Sequence, residues 1–303
     1  MGIKFRQEPE LEKPDLIIGW PGIGNVGIIA VDTLRATVRA EEFAEIEPWD
    51  FFYPKKIFIK DGELIDMEFP SNKFYFHRTG KRDLVFFLGE EQPSDGEGAY
   101  ARGEKAYQMA NLVLDVAIKF DCRRVYTSGA AVAMTHHTMR PRVWAVPNCE
   151  ELIEEVKGYE NTILMGDIVE ESGQGTITGL NGLLLGVAKK RGLEGICLMG
   201  EIPVYLQGFP LPYPKASKAV VEVLADKLGI EIDPNILSEL SEKADWQIEE
   251  LYQQIPSEVR DRLEQLKYVT FERREKPGPI TDEDKKMIVE DIDDFFKKRG
   301  EQG

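Results

Sequence analysis

The sequence LIIGWPGIGNVG occupies residues 16–27, and the fold can be worked out from it in both directions. Its first part, Leu16–Ile18, is a short apolar run, which is typical of a buried strand. A glycine-rich stretch follows at 22–27, and apolar side chains then recur at helical spacing over 28–38. This order predicts a strand, a tight loop and a helix, the unit that builds parallel sheets covered by helices.

The same alternation continues along the chain. Further buried strands are predicted at 84–88, 125–127, 143–146, 163–165 and 196–199, and helices at 106–120, 179–192 and 214–228. Asp61-Gly62 separates two apolar stretches and predicts a β-hairpin over 57–67, and 73–78 alternates like another strand. We therefore expect an α/β fold with three α/β/α layers around a mostly parallel or mixed sheet.

The C-terminal part of the chain has a different character. Asp233 is placed to cap a helix whose first residue is Pro234. A second short helix is predicted from Ser257 to Leu266, and a last one begins near Asp284. Residues 1–232 are therefore expected to form the α/β domain, and residues 233–303 an acidic helical extension.

Composition excludes several classes of protein. The 303 residues include 54 acidic and 38 basic side chains, a formal charge of −16, which disfavours binding to nucleic acid and to anionic membranes. No apolar stretch approaches the roughly 18–20 residues of a membrane span, and the first fourteen residues lack an apolar signal core. The three cysteines are widely spaced, so a disulfide framework or zinc site is not expected and a cytoplasmic location is.

The glycine-rich stretch at 22–27 fits the pattern G-x-G-x-x-G. After a strand and before a helix, this pattern can hold an anion on free backbone amides. Glu45 and Glu47 lie where the ribose-binding acid of a dinucleotide site would be expected, but Trp20 and Pro21 are foreign to that fingerprint. The competing interpretation is a tight turn in which glycine permits close packing and positive φ.

Other polar loops also follow predicted strands, where open α/β sheets bind ligands. Ser128-Gly129 follows one strand without the Gly-x-Ser-x-Gly context of a serine hydrolase, and Glu90-Glu91 follows another. The stretch 170–182 is rich in glycine and hydroxyl groups and could bind an anion, but turn formation and helix capping by Thr178 or Asn181 are the favoured account. Candidate ligand-binding residues are therefore Gly22, Gly24, Asn25, Ser128, Gly129, Thr176, Thr178 and Glu201, with Glu201 or Glu91 as acid or base.

His136 and His137 are adjacent, and adjacent side chains rarely chelate one ion together. We expect them in a polar loop, and predict neither a metal site nor a cofactor. No set of catalytic residues is recognisable.

These landmarks occur in an order that resembles the proteasome assembly chaperone 2 family. The matching pieces are residues 19–27, Ser128-Gly129-Ala130, 175–182, 200–203, and the helix from Pro214 to Leu228 with the following 229–232. The resemblance implies one α/β/α domain of phosphorylase/hydrolase-like fold that self-associates, and a chaperone role with proteasome α subunits. Some relatives dock through a C-terminal hydrophobic-Tyr-any tail; residues 298–303 do not match it, so docking by that route is not expected.

Two functions follow as hypotheses. The first is a non-enzymatic binding or assembly protein that forms homo-oligomers and binds proteasome α subunits or another protein. The alternative is a small-molecule or nucleotide-binding enzyme, ligase-like or phosphorylase-like, that uses the glycine-rich loops at the strand ends. The first is favoured by the resemblance, and the second by the number of such loops.

Overall fold

The structure is a computed structural model and describes residues 2–80, 82–93, 103–168 and 176–268. The strands in those ranges are β1 (Ile3–Phe5), β2 (Asp15–Gly19), β3 (Glu41–Ile46), β4 (Lys56–Lys60), β5 (Glu63–Glu68), β6 (Asn72–His77), β7 (Leu84–Gly89), β8 (Arg124–Ala133), β9 (Val143–Pro147), β10 (Thr162–Leu164) and β11 (Gly195–Pro203). The α-helices are α1 (Val26–Thr37), α2 (Gly103–Lys119), α3 (Glu151–Lys157), α4 (Met165–Ile168), α5 (Gly179–Lys190), α6 (Pro214–Leu228), α7 (Ser238–Gln253) and α8 (Ser257–Gln265).

Nine of the strands form one mixed sheet in the order β1-β3-β6-β7-β2-β8-β11-β9-β10, and β4 and β5 form a separate hairpin. The central strands β7, β2, β8 and β11 are parallel to one another. On one side β6, β3 and β1 continue the sheet in antiparallel fashion, and on the other β9 runs antiparallel to β11. The predicted α/β fold with a mixed sheet is confirmed.

Each face of the sheet has its own core. Ile17 of β2 lies in the core that contains apolar residues of α1 and α6, whereas Leu16 and Ile18 lie in the core with α2 and α5. Strands buried on both faces are apolar along their whole length instead of alternating. This is why the central strands were recognisable in the sequence as short apolar runs.

Strand β3 was not predicted, because its composition is unusually acidic for a strand. Three of its six residues are glutamates. Glu42 forms ion pairs with Arg6 at 2.9 Å and with Lys73 at 3.0 Å, and the Glu45 carboxylate lies 3.4 Å from Arg6. These basic partners come from β6 and from Arg6, which directly follows β1, so the acidic strand is stable only within the assembled sheet.

Helices α7 and α8 pack on the core of the body. Ile248, Tyr252 and Leu263 are buried there with residues of α6. Helix α7 begins at Ser238 and not at the predicted Pro234, because the carboxylate of Asp233 accepts a bond from the Asn235 amide at 2.8 Å and closes a turn. The division between residues 232 and 233 remains a prediction, and the helix predicted near 284 lies outside the described residues.

The histidine pair was expected in a polar loop, but the structure buries it beneath α7. His136 and His137 are 2% and 3% exposed. Nδ1 of His136 accepts from the Thr138 amide at 3.3 Å, which leaves Nε2 to donate to the Tyr252 hydroxyl at 3.2 Å. That hydroxyl donates in turn to Glu264 of α8 at 3.0 Å. The neutral imidazole therefore joins the body to both C-terminal helices.

No helix in the described ranges is long and apolar enough to cross a membrane. The three cysteines are unpaired, and Cys122 and Cys197 are buried. Burial raises the pKa of the Cys122 thiol to about 12, so it is protonated at neutral pH.

Acid should weaken the contact between His136 and the C-terminal helices. Burial lowers the pKa of His136 from 6.5 to about 4. The unfolded chain therefore binds this proton at higher pH than the folded chain, and the associated stability is present above pH 6.5 and lost between pH 6.5 and 4. Between pH 7 and pH 5 we expect wild type to lose about 2 kcal/mol of unfolding free energy that His136→Gln does not lose.

Urea unfolding at both pH values measures this difference. His77→Gln is the control, since His77 lies half-buried at the end of β6. An equal loss of stability in wild type and His136→Gln would contradict the assignment.

Candidate functional site

The parallel central strands bring several predicted residues to one edge of the sheet. Gly19 at the end of β2 is in register with Leu88 of β7 and with Ser128 of β8, and Ser128 is in register with Leu198 of β11. The loops that leave β2 and β7 therefore begin side by side. They enclose the candidate site.

A cavity of about 420 Å³ lies between these loops. Its walls are residues 21–25, residues 90–92, Gln207 and Phe209. The structure thus brings together Gly22, Gly24, Asn25 and Glu91 of the predicted set. It does not bring Ser128, Gly129, Thr176, Thr178 or Glu201 to the wall of this cavity.

Gln92 holds the edge of the cavity together. Its Nε2 donates to the Pro21 carbonyl at 2.7 Å, and its Oε1 accepts from the Leu180 amide at 3.2 Å. Leu180 is in the first turn of α5, so Gln92 provides the cap that was expected from Thr178 or Asn181. Thr178 occupies the N-cap position but makes no side-chain cap bond. The sequence carries no signal for this role, because Gln92 and Leu180 are 88 residues apart.

The glycine-rich loop is compressed against the body. Gly24 has φ of +59°, and a Cβ there would lie 3.0 Å from the side chains of Ile202 and Tyr213. A Cβ on Gly27 would lie 2.1 Å from the carbonyl oxygen of Ser128, far inside contact distance. Both glycines are therefore required for packing, as the tight-turn interpretation of this loop predicted.

The dinucleotide interpretation of the same loop is not supported. Glu45 and Glu47 were the candidates for binding a ribose, but Glu45 lies on β3 and Glu47 directly after it, and β6 and β7 separate β3 from β2. The Glu45 carboxylate is also engaged by Arg6 and by Lys4 at 3.4 and 3.8 Å. A ribose held near Gly22 would not reach Glu45 across two strands, since neighbouring strands are about 4.8 Å apart.

Ser128 and Gly129 are covered by α5. Ser128 is 1% exposed, and its carbonyl accepts from Nδ2 of Asn181 at 2.9 Å. A Cβ on Gly129 would lie 2.4 Å from the same amide nitrogen. These two positions fix α5 against β8. Thr176 and Thr178 are exposed near the start of α5, and residues 169–175 lie outside the described ranges.

Glu201, the other predicted acid or base, is engaged by internal donors. It is 2% exposed on β11. Its carboxylate accepts from Nη2 of Arg142 at 2.7 Å, from the Arg142 amide at 3.0 Å and from Nε1 of Trp144 at 2.7 Å. The carboxylate therefore ties β11 to β9, and no oxygen is directed at the cavity. Sequence analysis missed Arg142 and Trp144, which precede Glu201 by more than fifty residues.

The cavity itself carries negative charge. Glu90 binds Nζ of Lys55 at 2.7 Å and accepts from the Ser71 amide at 3.1 Å. Burial alone would raise the pKa of Glu90, but the bonds from Lys55 and Ser71 outweigh it and hold the pKa below its usual range. Glu91 lies 3.9 Å from the same lysine. Two carboxylates beside one lysine make the wall better suited to a cationic or hydrogen-bond-donating ligand than to a phosphate.

No group of three or more His, Cys, Asp or Glu side chains is placed to hold a metal ion within residues 2–80, 82–93, 103–168 and 176–268.

Residues 16–252 match the model of the PAC2 family. An uncharacterised protein of Methanocaldococcus jannaschii is 31% identical over 241 residues, which cover 80% of this chain and 83% of that protein.

Two solved structures are similar in fold. PbaB of Pyrococcus furiosus, described as an archaeal proteasome activator, has a TM-score of 0.67 and 29% identity, over 82% of this chain and 98% of PbaB. A PAC2 family protein from Streptomyces avermitilis has a TM-score of 0.62 and 22% identity, over 82% of this chain and 99% of that one.

Substitution of Gly27 should destabilise the fold. In Gly27→Ala the new methyl group would collide with the Ser128 backbone, so α1 must move away from β8, at a cost of about 2 kcal/mol or more. Gly186→Ala is the matched control, because Gly186 lies in α5 with nothing within 4 Å of a Cβ. The control should gain up to about 1 kcal/mol from its better helix propensity. Chemical denaturation measures both, and equal stabilities would contradict this account.

Glu201→Gln tests whether this carboxylate is structural. It removes the negative charge opposite Arg142, and we expect a loss of about 2–3 kcal/mol in unfolding free energy. Glu222→Gln also breaks a carboxylate–arginine pair, with Arg140 at 3.1 Å, but on the surface. That control should change stability by less than about 1 kcal/mol. A Glu201 variant as stable as the control would show that the carboxylate is free for another task.

Proposed function

Because the chain belongs to the PAC2 family, we propose that it acts by binding other proteins, in an assembly or activating role on proteasome α subunits, and that it self-associates. The relative that supports this best is PbaB, an archaeal proteasome activator with 29% identity over 82% of this chain. The proposal describes a non-enzymatic role. It assigns the chain to the cytoplasm, in keeping with three unpaired cysteines.

A binding role is favoured by one observation: the polar groups at the strand ends are already bonded to other parts of the chain. Glu201 accepts internal bonds from Arg142 and Trp144, and Gln92 bonds to Pro21 and to Leu180. The Ser128 backbone is in contact with α1 and α5. These groups make the edge of the sheet rigid. A rigid scaffold that carries exposed elements is well suited to protein recognition, because little conformational entropy is lost on association.

The partner test uses purified components. The full chain is mixed with recombinant proteasome α subunits of its own source organism, and complexes are resolved by size-exclusion chromatography with light scattering. We expect co-elution in a defined ratio and a change in the rate at which the assembled proteasome hydrolyses a fluorogenic peptide. Separate elution at tens of micromolar, with an unchanged hydrolysis rate, would refute the proteasome role.

A second candidate function rests on the cavity. Its volume of about 420 Å³ is within the range of small-molecule sites. In this case the chain would be a small-molecule or nucleotide-binding enzyme, of ligase or phosphorylase type, with Glu91 as the acid or base. The pair Glu90 and Glu91 favours amines and nucleosides over free phosphates.

Glu91→Arg separates the two candidates. Glu91 is exposed and lines the cavity, so the variant reverses a charge there without disturbing the core. If the cavity binds ligands, a nucleoside or an amine should raise the melting temperature of wild type by mass action, and the variant should lose the shift. If the chain acts through protein contacts elsewhere, no compound shifts wild type, and the variant retains binding to α subunits.

A further inference from the structure

The hairpin formed by β4 and β5 is unusual for a folded chain. Thirteen large apolar side chains are exposed in the described part of the chain, and seven of them fall between residues 49 and 65. They are Trp49, Tyr53, Ile57, Phe58, Ile59, Leu64 and Ile65. Such a concentration of exposed apolar surface marks an interaction site more often than chance.

Four apolar residues of the hairpin lie on one face, whereas Phe58 lies on the other and Ile65 sits at the irregularity in the pairing. Residues paired across two strands project to the same side of the sheet. The pairs Ile57–Met67 and Ile59–Leu64 form one face, which we term the apolar hairpin face, and the pairs Lys56–Glu68, Phe58–Asp66 and Lys60–Glu63 form the other. Ile59 is 70% exposed and Leu64 57%. An isolated two-stranded hairpin is at best marginally stable in water unless such a face is covered.

The hairpin is attached to the body at its base. Lys55, just before β4, binds Glu90 at 2.7 Å. Phe69, just after β5, packs against Trp49 with ring centroids 4.6 Å apart. These contacts hold the base of the hairpin, while most residues of both strands remain exposed.

The two edges of the hairpin carry opposite charges. Neither β4 nor β5 pairs with another strand among the described residues, so each has one unpaired edge. Strand β4 has the sequence KIFIK, with a lysine at each end, and β5 has the sequence ELIDME, with three carboxylates. Pairing β4 with β4 would place lysine against lysine, and pairing β5 with β5 would oppose carboxylates. Like charges directly opposite are destabilising, whereas β4 against β5 can place both lysines opposite carboxylates, as the pairs Lys56–Glu68 and Lys60–Glu63 do within the hairpin.

We propose that β4 of one copy of this chain pairs antiparallel with β5 of the next copy, so that the hairpins of a closed ring of copies form one continuous sheet. The charge pattern selects a second copy as the occupant, because the chain itself supplies both complementary edges. A contact of this head-to-tail type closes into a ring when the rotation permits. Closure pairs every edge and turns the apolar hairpin face inward, where the copies bury it together. The inference rests on the self-association in the proposed function.

A matched pair of substitutions tests the face. Ile59→Asp places a charge on the apolar hairpin face, and Ile118→Asp makes the same change at a residue of α2 that is 49% exposed. Both sites are exposed in a single chain, so circular dichroism should show both variants folded. In light scattering we expect wild type and Ile118→Asp to have the mass of an oligomer, and Ile59→Asp to have the mass of one chain.

The outcomes separate the two claims. A wild-type chain that is monomeric at tens of micromolar overturns both self-association and the hairpin contact. An oligomer that persists unchanged in Ile59→Asp overturns the hairpin contact alone.

Crosslinking tests the head-to-tail arrangement. In a Cys149→Ser background, the chains Lys60→Cys and Glu63→Cys are mixed in equal amounts and mildly oxidised; the remaining cysteines are buried. We expect disulfide-linked dimers that contain one chain of each kind. Predominance of dimers of Lys60→Cys with itself, or no crosslink at all, would overturn the arrangement.

Discussion

The approach of α1 to β8 is the constraint on which the centre of this structure depends. The helix contacts the Ser128 carbonyl so closely at Gly27 that a Cβ would lie 2.1 Å from the oxygen. One strand away, a Cβ on Gly19 would lie 2.9 Å from the side chain of Val31. A similar contact between Gly200 of β11 and Ala216 places α6 beside α1. Interiors are packed to crystal density, so these small residues set the depth of the whole helical layer.

The opposite edge of the sheet is held by charge instead of by close packing. Asp15 begins β2 with no exposed surface, and Arg123 donates to both of its oxygens at 3.0 Å. Arg124 begins β8 and is bound by Glu155 and Glu194. Buried charges are tolerated when each is paired and hydrogen-bonded in this way. With one edge held by ion pairs and the other by glycine contacts, the four parallel strands form a rigid centre.

The rigidity of the carboxyl edge limits which of its polar groups are free to bind a ligand. The Glu201 carboxylate is held by bonds from Arg142 and Trp144, so it could not turn toward a ligand without breaking the contacts that join β9 to β11. The exposed features best placed to meet a ligand or partner are Glu91 at the cavity and the hairpin of β4 and β5. Within the described residues, neither strand of the hairpin pairs with the main sheet, but the base of the hairpin is anchored to the body. This arrangement suits an element that contacts a neighbouring molecule.

Much of the architecture was predictable from the sequence, because its signals are local. Short apolar runs marked β2, β7 and β11, and Asp61-Gly62 marked the hairpin turn, since the chain adopts positive φ at both residues. The acidic strand β3 was not predicted, because its stability comes from the basic side chains of Arg6 and Lys73, which are distant in sequence.

The sequence by itself thus determined the α/β alternation, the tight glycine loop and the hairpin at Asp61-Gly62. Each of these depends on residues a few positions apart. Only the tertiary structure decided that Gln92 caps α5, that Arg142 and Trp144 hold Glu201, and that the two histidines are buried beneath α7. These contacts join residues between 57 and 116 positions apart, and which of many polar side chains meet at such separations is set by the packing of the layers and not by any local pattern.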